Sequence, residues 1–237
     1  MSDGVRAAVR DGVGTITFDR PEVMNAWDAA MRTRIAELLR AYDGDASVRA
    51  VVLTGAGTRA FGAGQDLREQ RPSGETAIDA WIDAWADFFG ALRRLGKPSI
   101  AALNGVAAGS SFQAALMCDL RIGHPGVRVG QPELKNGIPS SMGPWLLHAC
   151  LGPARAAELV LTGRLVPADE ARSLGLIDRI VERDALMDEA HTLGVELGSR
   201  SAGATRLTKA RLRALTEPGF RDAIQAWKEM LRAAAHD

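Results

Sequence analysis

Ser99-Ile100-Ala101-Ala102-Leu103-Asn104-Gly105-Val106-Ala107-Ala108-Gly109-Ser110-Ser111-Phe112-Gln113-Ala114-Ala115-Leu116-Met117 is the stretch that decides the fold class. Ser99 to Asn104 reads as a short apolar strand and Ser110 to Met117 as a helix of small residues, with a glycine-bearing turn between them. Upstream, Val48 to Thr54 is a β-branched, apolar run ending in Gly55-Ala56-Gly57, the pattern of a buried strand entering a loop. A helix is predicted on either side of that strand. Asp28 to Tyr42 places Met31, Ile35, Leu38, Leu39 and Tyr42 on one face, with Arg32, Arg34, Glu37 and Arg40 opposite, and a second helix spans Thr76 to Leu95. One strand feeding one helix, repeated, is an α/β signature.

The ends of the chain differ from this middle. Val5 to Arg10 and Val13 to Asp19 read as an antiparallel pair turned by Asp11-Gly12. A strand lies near Leu120 to Ile122. After about Ser141 helices dominate: Gly143 to Cys150, Ala154 to Leu161, Ala168 to Leu174, Ala185 to Leu197 and Ala204 to Leu215, interrupted by a strand at Ile177 to Val181. No linker rich in Pro, Gly or Ser separates the mixed part from the helical part, so one domain over 1–237 is expected.

Composition narrows the function classes. The chain has 237 residues, 46% hydrophobic and 24% charged, with 29 Lys plus Arg against 29 Asp plus Glu. A balanced charge gives no field for nucleic acid or an anionic membrane surface. No stretch reaches the roughly 18 apolar residues of a membrane span, and Met1 to Arg10 has no apolar leader core. Cys118 and Cys150 sit in apolar helix-like stretches without metal or redox spacing and read as buried reduced thiols. A cytoplasmic setting is therefore expected. His124, His148, His191 and His236 show no metal or triad spacing and read as surface or packing residues.

Three segments carry chemistry. Phe61-Gly62-Ala63-Gly64-Gln65-Asp66-Leu67 follows the Val48 to Thr54 strand, and its glycines let a ligand approach exposed N–H groups. Taken alone, such a pair of glycines is an ordinary turn. Asn104 to Ser111 ends at a helix start whose unpaired N–H groups and partial positive charge favour an oxygen ligand. Two such turns in consecutive units can direct two donors at one oxygen. Gly130-Gln131-Pro132-Glu133 with Lys135 to Pro139 places a carboxylate where desolvation raises its basicity, as a general base requires. The plainer reading of Glu133 alone is a surface carboxylate or salt-bridge partner.

The order Arg20-Pro21-Glu22, Asn25-Ala26, Ala63-Gly64-Gln65-Asp66-Leu67, Asn104-Gly105, Ala108-Gly109, Met117-Cys118-Asp119 and Gln131-Pro132-Glu133 resembles the enoyl-CoA hydratase/isomerase (crotonase) superfamily. Leu161-Thr162-Gly163-Arg164, Ala168 to Ala171, Gly175-Leu176 and Lys209 extend the match to about Leu215. The resemblance implies an α/β crotonase (ClpP-like) fold: a spiral of ββα units over 1–195 and a helical trimerisation part over 196–237. It implies a homotrimer or hexamer, an acyl-CoA substrate, and no permanently bound cofactor, coenzyme A being part of the substrate. The N–H groups of Gln65 and Ser110 would hold the thioester oxygen. Ala26, Ala63, Gln65, Asp66, Leu67, Arg68 and Ser110 would lie along the coenzyme, with Arg68 facing a phosphate or solvent and Asp66 fixing the loop.

Departures from the pattern shape the expected reaction. Hydratases of this family carry two glutamates around the bound water, and here the first position is Gln113. An amide accepts no proton at neutral pH, although it can orient a water or the substrate. Glu133 is then the single acid, which ranks shifting of a 3-enoyl double bond slightly above hydration. A non-catalytic acyl-CoA binder is the alternative from another class. Ser110 stands where glycine is usual, and Ser140-Ser141-Met142-Gly143 replaces Gly-Ala-Gly-Gly. Both changes narrow or polarise the acyl pocket, for which Trp81, Trp85, Phe88, Phe89 and Trp145 are candidate lining residues. The sequence stops at Ala235-His236-Asp237, where relatives are expected to continue with another helix.

Overall fold

A computed structural model describes residues 4–69, 72 and 74–234 of the chain. Residues 1–3 and the end Ala235-His236-Asp237 lie outside them. Strands β1 (Val5–Arg10) and β2 (Val13–Phe18) pair antiparallel across Asp11 and Gly12, whose φ values of 50° and 77° suit a two-residue hairpin turn. Helix α1 (Ala29–Gly44) starts at Asp28, whose carboxylate accepts from the Met31 N–H at 2.9 Å. The order then runs β3 (Ala50–Gly55), β4 (Ala60–Gly62), α2 (Glu75–Arg94), β5 (Ser99–Ala102), β6 (Val106–Ala108), α3 (Ser110–Met117), β7 (Leu120–Gly123) and β8 (Arg128–Gly130). A 3-10 turn at Glu133–Asn136 leads to α4 (Met142–Leu151), α5 (Pro153–Thr162), β9 (Leu165–Pro167), α6 (Ala168–Ser173), β10 (Arg179–Ile180), α7 (Leu186–Gly198) and α8 (Ala202–Ala234).

Two sheets result. One has the order β1-β2-β3-β5-β7-β10 and the other β4-β6-β8-β9. The segments β3-β4-α2, β5-β6-α3 and β7-β8-α4 each give their first strand to the large sheet and their second to the small one. This is the ββα spiral that the resemblance implied. The one-strand-per-helix reading of the residues missed β4, β6, β8 and β9. Three-residue strands such as Ala60-Phe61-Gly62 and Val106-Ala107-Ala108 show too little alternation to separate them from a turn.

The buried cluster joins both sheets to α1, α2, α3, α4 and α8. Its aromatic part places Phe18 edge-on to Trp27 at 4.9 Å and to Phe61 at 5.1 Å, and Trp27 edge-on to Phe88 at 5.1 Å.

Several expectations are corrected here. Arg32 is not on a solvated face: it is 3% exposed, pairs with both carboxylate oxygens of Glu69 at 2.8 and 2.7 Å, and lies 4.2 Å from the Trp85 ring centroid. A planar guanidinium can be buried when it is paired and stacked in this way. Cys150 is exposed, whereas Cys118 is buried. The helix expected to end at Leu215 continues through Pro218 to Ala234, because packing of its second half on α2 and α4 outweighs one lost backbone hydrogen bond. Phe88 and Phe89 belong to the core, and Trp145 packs on Phe220 at 5.8 Å.

Asn25 locks the chain ahead of α1 to the β3–β4 connection. Its φ is 54°, and its fully buried side chain donates to Ala56 O at 3.0 Å and Ala60 O at 2.8 Å while accepting from the Arg20 N–H at 3.0 Å. Asn25→Ala strips all three bonds and leaves buried backbone groups unpaired, so urea denaturation should read a loss of about 3 kcal/mol.

Candidate active site

Two loops meet above the small sheet. In the first, Trp27 N–H donates to Gly64 O at 2.8 Å and Asp66 N–H to Trp27 O at 2.9 Å, a parallel bridge that turns the N–H of Gln65 away from residue 27. In the second, Gly109 N–H donates to Gly130 O at 3.0 Å and α3 begins at the next residue, so Ser110 presents a first-turn N–H with no helical partner. Among the described residues, neither the Gln65 nor the Ser110 N–H donates to a protein acceptor. Both residues line one cavity of about 90 Å³, with Ala63, Gln113 and Glu133 also in its wall.

Glycine is required where the loops touch. Gly64 has φ 94°, and a Cβ there would lie 2.8 Å from Ala108 O and 3.2 Å from Ser110 N. A Cβ on Gly62 would lie 2.3 Å from the Ser111 hydroxyl, which itself accepts from the Gly64 N–H at 3.0 Å. Ser111, which the sequence reading did not single out, thus ties the first loop to α3.

Glu133 opens the 3-10 turn after β8, and its carboxyl lies against Gly109, 3.6 Å from where a Cβ would stand. No cation faces it. Burial pushes its pKa up from 4.5 to about 7, against hydrogen bonds from the Glu133 backbone, Gln113 and Ser140. Gln113 Nε2 donates to Glu133 Oε1 at 2.9 Å. The buried Gln131 amide stands 3.0 Å from Gln113 Nε2 and 2.6 Å from Glu133 Oε1. With its oxygen there, it accepts from Gln113 and needs a proton on Glu133; turned over, its NH₂ donates to the carboxylate, and Gln113 must turn with it to present its oxygen rather than its own NH₂. Both protonation states of Glu133 therefore have a partner.

The other expected residues divide. Leu67 is 60% exposed and lines the cavity mouth. Ala26 is buried outside the cavity, its carbonyl accepting from Arg20 at 3.0 Å. Asp66 accepts from the Arg68 N–H at 3.1 Å and pairs with the Arg68 and Arg20 guanidinium groups at 2.8 and 3.1 Å, and these bonds, Arg68 foremost, hold its carboxyl far below the usual range. That is the loop-fixing geometry expected of it. Arg68 spends its guanidinium on Asp66. Of the aromatic candidates only Trp85 reaches the cavity, joined by Trp227 and Met142. Trp227 escaped the sequence reading because it lies beyond the helix end assigned at Leu215. Among the described residues, no three His, Cys, Asp or Glu side chains converge on a metal-binding position.

The family model described as enoyl-CoA hydratase/isomerase matches residues 8–237. The chain is 37% identical over 201 residues to a probable enoyl-CoA hydratase of Rhizobium meliloti, covering 83% of this chain and 76% of that one. It is 33% identical over 198 residues to the short-chain-enoyl-CoA hydratase of Clostridium acetobutylicum, with the same two coverages, 83% and 76%. Among solved structures, an enoyl-CoA hydratase/isomerase from Xanthobacter autotrophicus Py2 superimposes with a TM-score of 0.81 at 33% identity, covering 96% of this chain and 85% of that one.

The carboxyl offers a test that needs no ligand. Its folded pKa of about 7 lies above the ordinary 4.5, so the folded state holds the proton more tightly and loses stability as pH rises through that window. Glu133→Gln removes the loss, on the order of 2 kcal/mol at pH 8. Thermal unfolding should show the variant about 5 °C more stable than the native protein at pH 8 and no more stable at pH 4.

Proposed function

The chain belongs to the enoyl-CoA hydratase/isomerase family, and from that premise we propose that it binds an acyl-CoA thioester with its carbonyl oxygen between the N–H groups of Gln65 and Ser110. The observation that carries this reading is the convergence, among the described residues, of two unpaired N–H groups and one partly buried carboxyl with no cation beside it on a single cavity. Charge develops on the thioester oxygen when a carbon-bound proton leaves. Fixed donors at that oxygen stabilise the enolate, each contributing roughly 3 kcal/mol in comparable sites.

Glu133 is the proton carrier. In a 3-enoyl thioester its carboxylate takes a proton from C2, the electron pair moves into the dienolate, and the resulting acid returns a proton at C4, leaving the double bond between C2 and C3. A pKa near 7 suits a group that must act as base and then as acid at neutral pH. Gln113 and Gln131 follow the carboxyl through both states. The single carboxyl places isomerisation slightly ahead.

Hydration is the second reading, and the names of the hydratase relatives favour it. Gln113 would then orient a water through its Oε1 while its Nε2 holds Glu133. Assembly as a homotrimer or hexamer is part of the proposal, supported by Leu207, Leu212 and Leu215, which stand 58–71% exposed along the first half of α8.

Incubation with 2-enoyl-CoA and 3-enoyl-CoA in heavy water separates the reactions. Deuterium uptake with movement of the double bond identifies isomerisation, and addition of the mass of water identifies hydration. Neither change on either thioester would sink both. Glu133→Gln should lower kcat by 10²- to 10⁴-fold with acyl-CoA affinity nearly intact. Gly64→Ala, which drives a methyl group against Ala108 O, should cost at least tenfold in kcat/KM by misplacing the Gln65 N–H.

A further inference from the structure

We propose that this protein is built for short acyl chains of about four carbons, because the cavity that the two N–H groups share is small and the packed side chains of Trp85, Met142 and Trp227 form part of its wall. The inference rests on the acyl-CoA reading and adds the size of the acyl group to it. A cavity of about 150 Å³ takes a six-carbon ring, so the 90 Å³ here holds about four carbon atoms at the same density.

Three elements supply the wall, and each is pinned. Trp85 of α2 is fully buried, stacked on Phe89 with centroids 5.5 Å apart and covered by the Arg32 guanidinium, which Glu69 holds from both oxygens. Trp227 of α8 is 9% exposed and lies 5.8 Å from Trp85 and 5.6 Å from Trp81. Lys228 and Arg232, on the same stretch of α8, pair with Asp83 and Asp79 of α2 at 2.6 and 2.5 Å. Met142, at the start of α4, is 1% exposed, and the Ser141 hydroxyl beside it donates to Ala223 O at 2.6 Å, tying α4 to α8. A longer tail must displace an indole from this packing or fold back toward the mouth past Leu67. Each methylene that finds an apolar pocket adds about fourfold in affinity, whereas methylenes forced into packed side chains cost roughly tenfold or more.

Calorimetric titration of the intact protein with free CoA and with butyryl-, octanoyl- and dodecanoyl-CoA tests this without turnover, since saturated thioesters are inert to both reactions considered. Butyryl-CoA should bind at least tenfold more tightly than octanoyl-CoA, and Trp227→Leu should narrow that ratio by opening the wall. If circular dichroism shows Trp227→Leu misfolded, Met142→Ala opens the wall from α4. Native protein that binds octanoyl- or dodecanoyl-CoA as tightly as butyryl-CoA overturns the inference and leaves the acyl-CoA reading standing. An unchanged ratio in every folded variant also overturns it. Failure to bind any thioester removes the acyl-CoA reading and this inference with it.

Discussion

Two chain segments pass so closely at Gly62 and Gly64 that backbone and hydroxyl atoms occupy the space where side chains would begin. The rest of the site depends on that approach. It brings the N–H of Gln65, held by the bridge to Trp27, and the first N–H of α3 to one cavity. The core sustains it: Trp27 both makes the bridge and packs between Phe18 and Phe88, so the loop bearing Gln65 is anchored to the hydrophobic interior at the same residue. Backbone donors placed in this way need no side-chain ordering when a ligand arrives, which is why they suit an oxygen whose charge is transient.

The electrostatics of the pocket follow from what surrounds Glu133. Amides and a hydroxyl partner the carboxyl, and the arginines around the first loop are engaged with other carboxylates: Arg20 and Arg68 with Asp66, and Arg32 with Glu69. An arginine turned toward Glu133 would lower its pKa and favour the permanently charged form. The Gln113 and Gln131 amides instead give the carboxyl a partner in either state, the orientation of each amide deciding whether it donates or accepts. Gln113 also replaces the second carboxylate that hydration uses in the family pattern, so one residue both tunes the remaining acid and separates the two proposed reactions.

The fold class and the positions of the candidate site were legible in the sequence, and part of the sheet architecture was not. Local signals gave the two glycine-gated turns and the carboxylate after proline, the family resemblance singled out Gln65, Ser110 and Gln113 within them, and the structure brings these three and Glu133 to one cavity. The large sheet was legible from its β-branched runs. The small sheet was not, since β4, β6, β8 and β9 are short stretches whose strand character comes from their neighbours in space. Arg32 was misplaced for a related reason: a helical wheel counts charge as exposure and cannot register Glu69, thirty-seven positions away, or the ring of Trp85. Trp227 was missed because the helical pattern was ended at Leu215, whereas the helix runs on through Pro218 and across α2.

Because Trp227 lies on α8, one part of the cavity wall belongs to a different part of the chain from the groups proposed to carry the reaction. The N–H donors and the carboxyl come from the ββα core, between residues 65 and 133. Substitutions along the second half of α8, or in its ion pairs with α2, can therefore reshape what fits without disturbing how protons would move. Such a division lets lineages with this architecture diversify in the compounds they accept while inheriting one reaction centre unchanged.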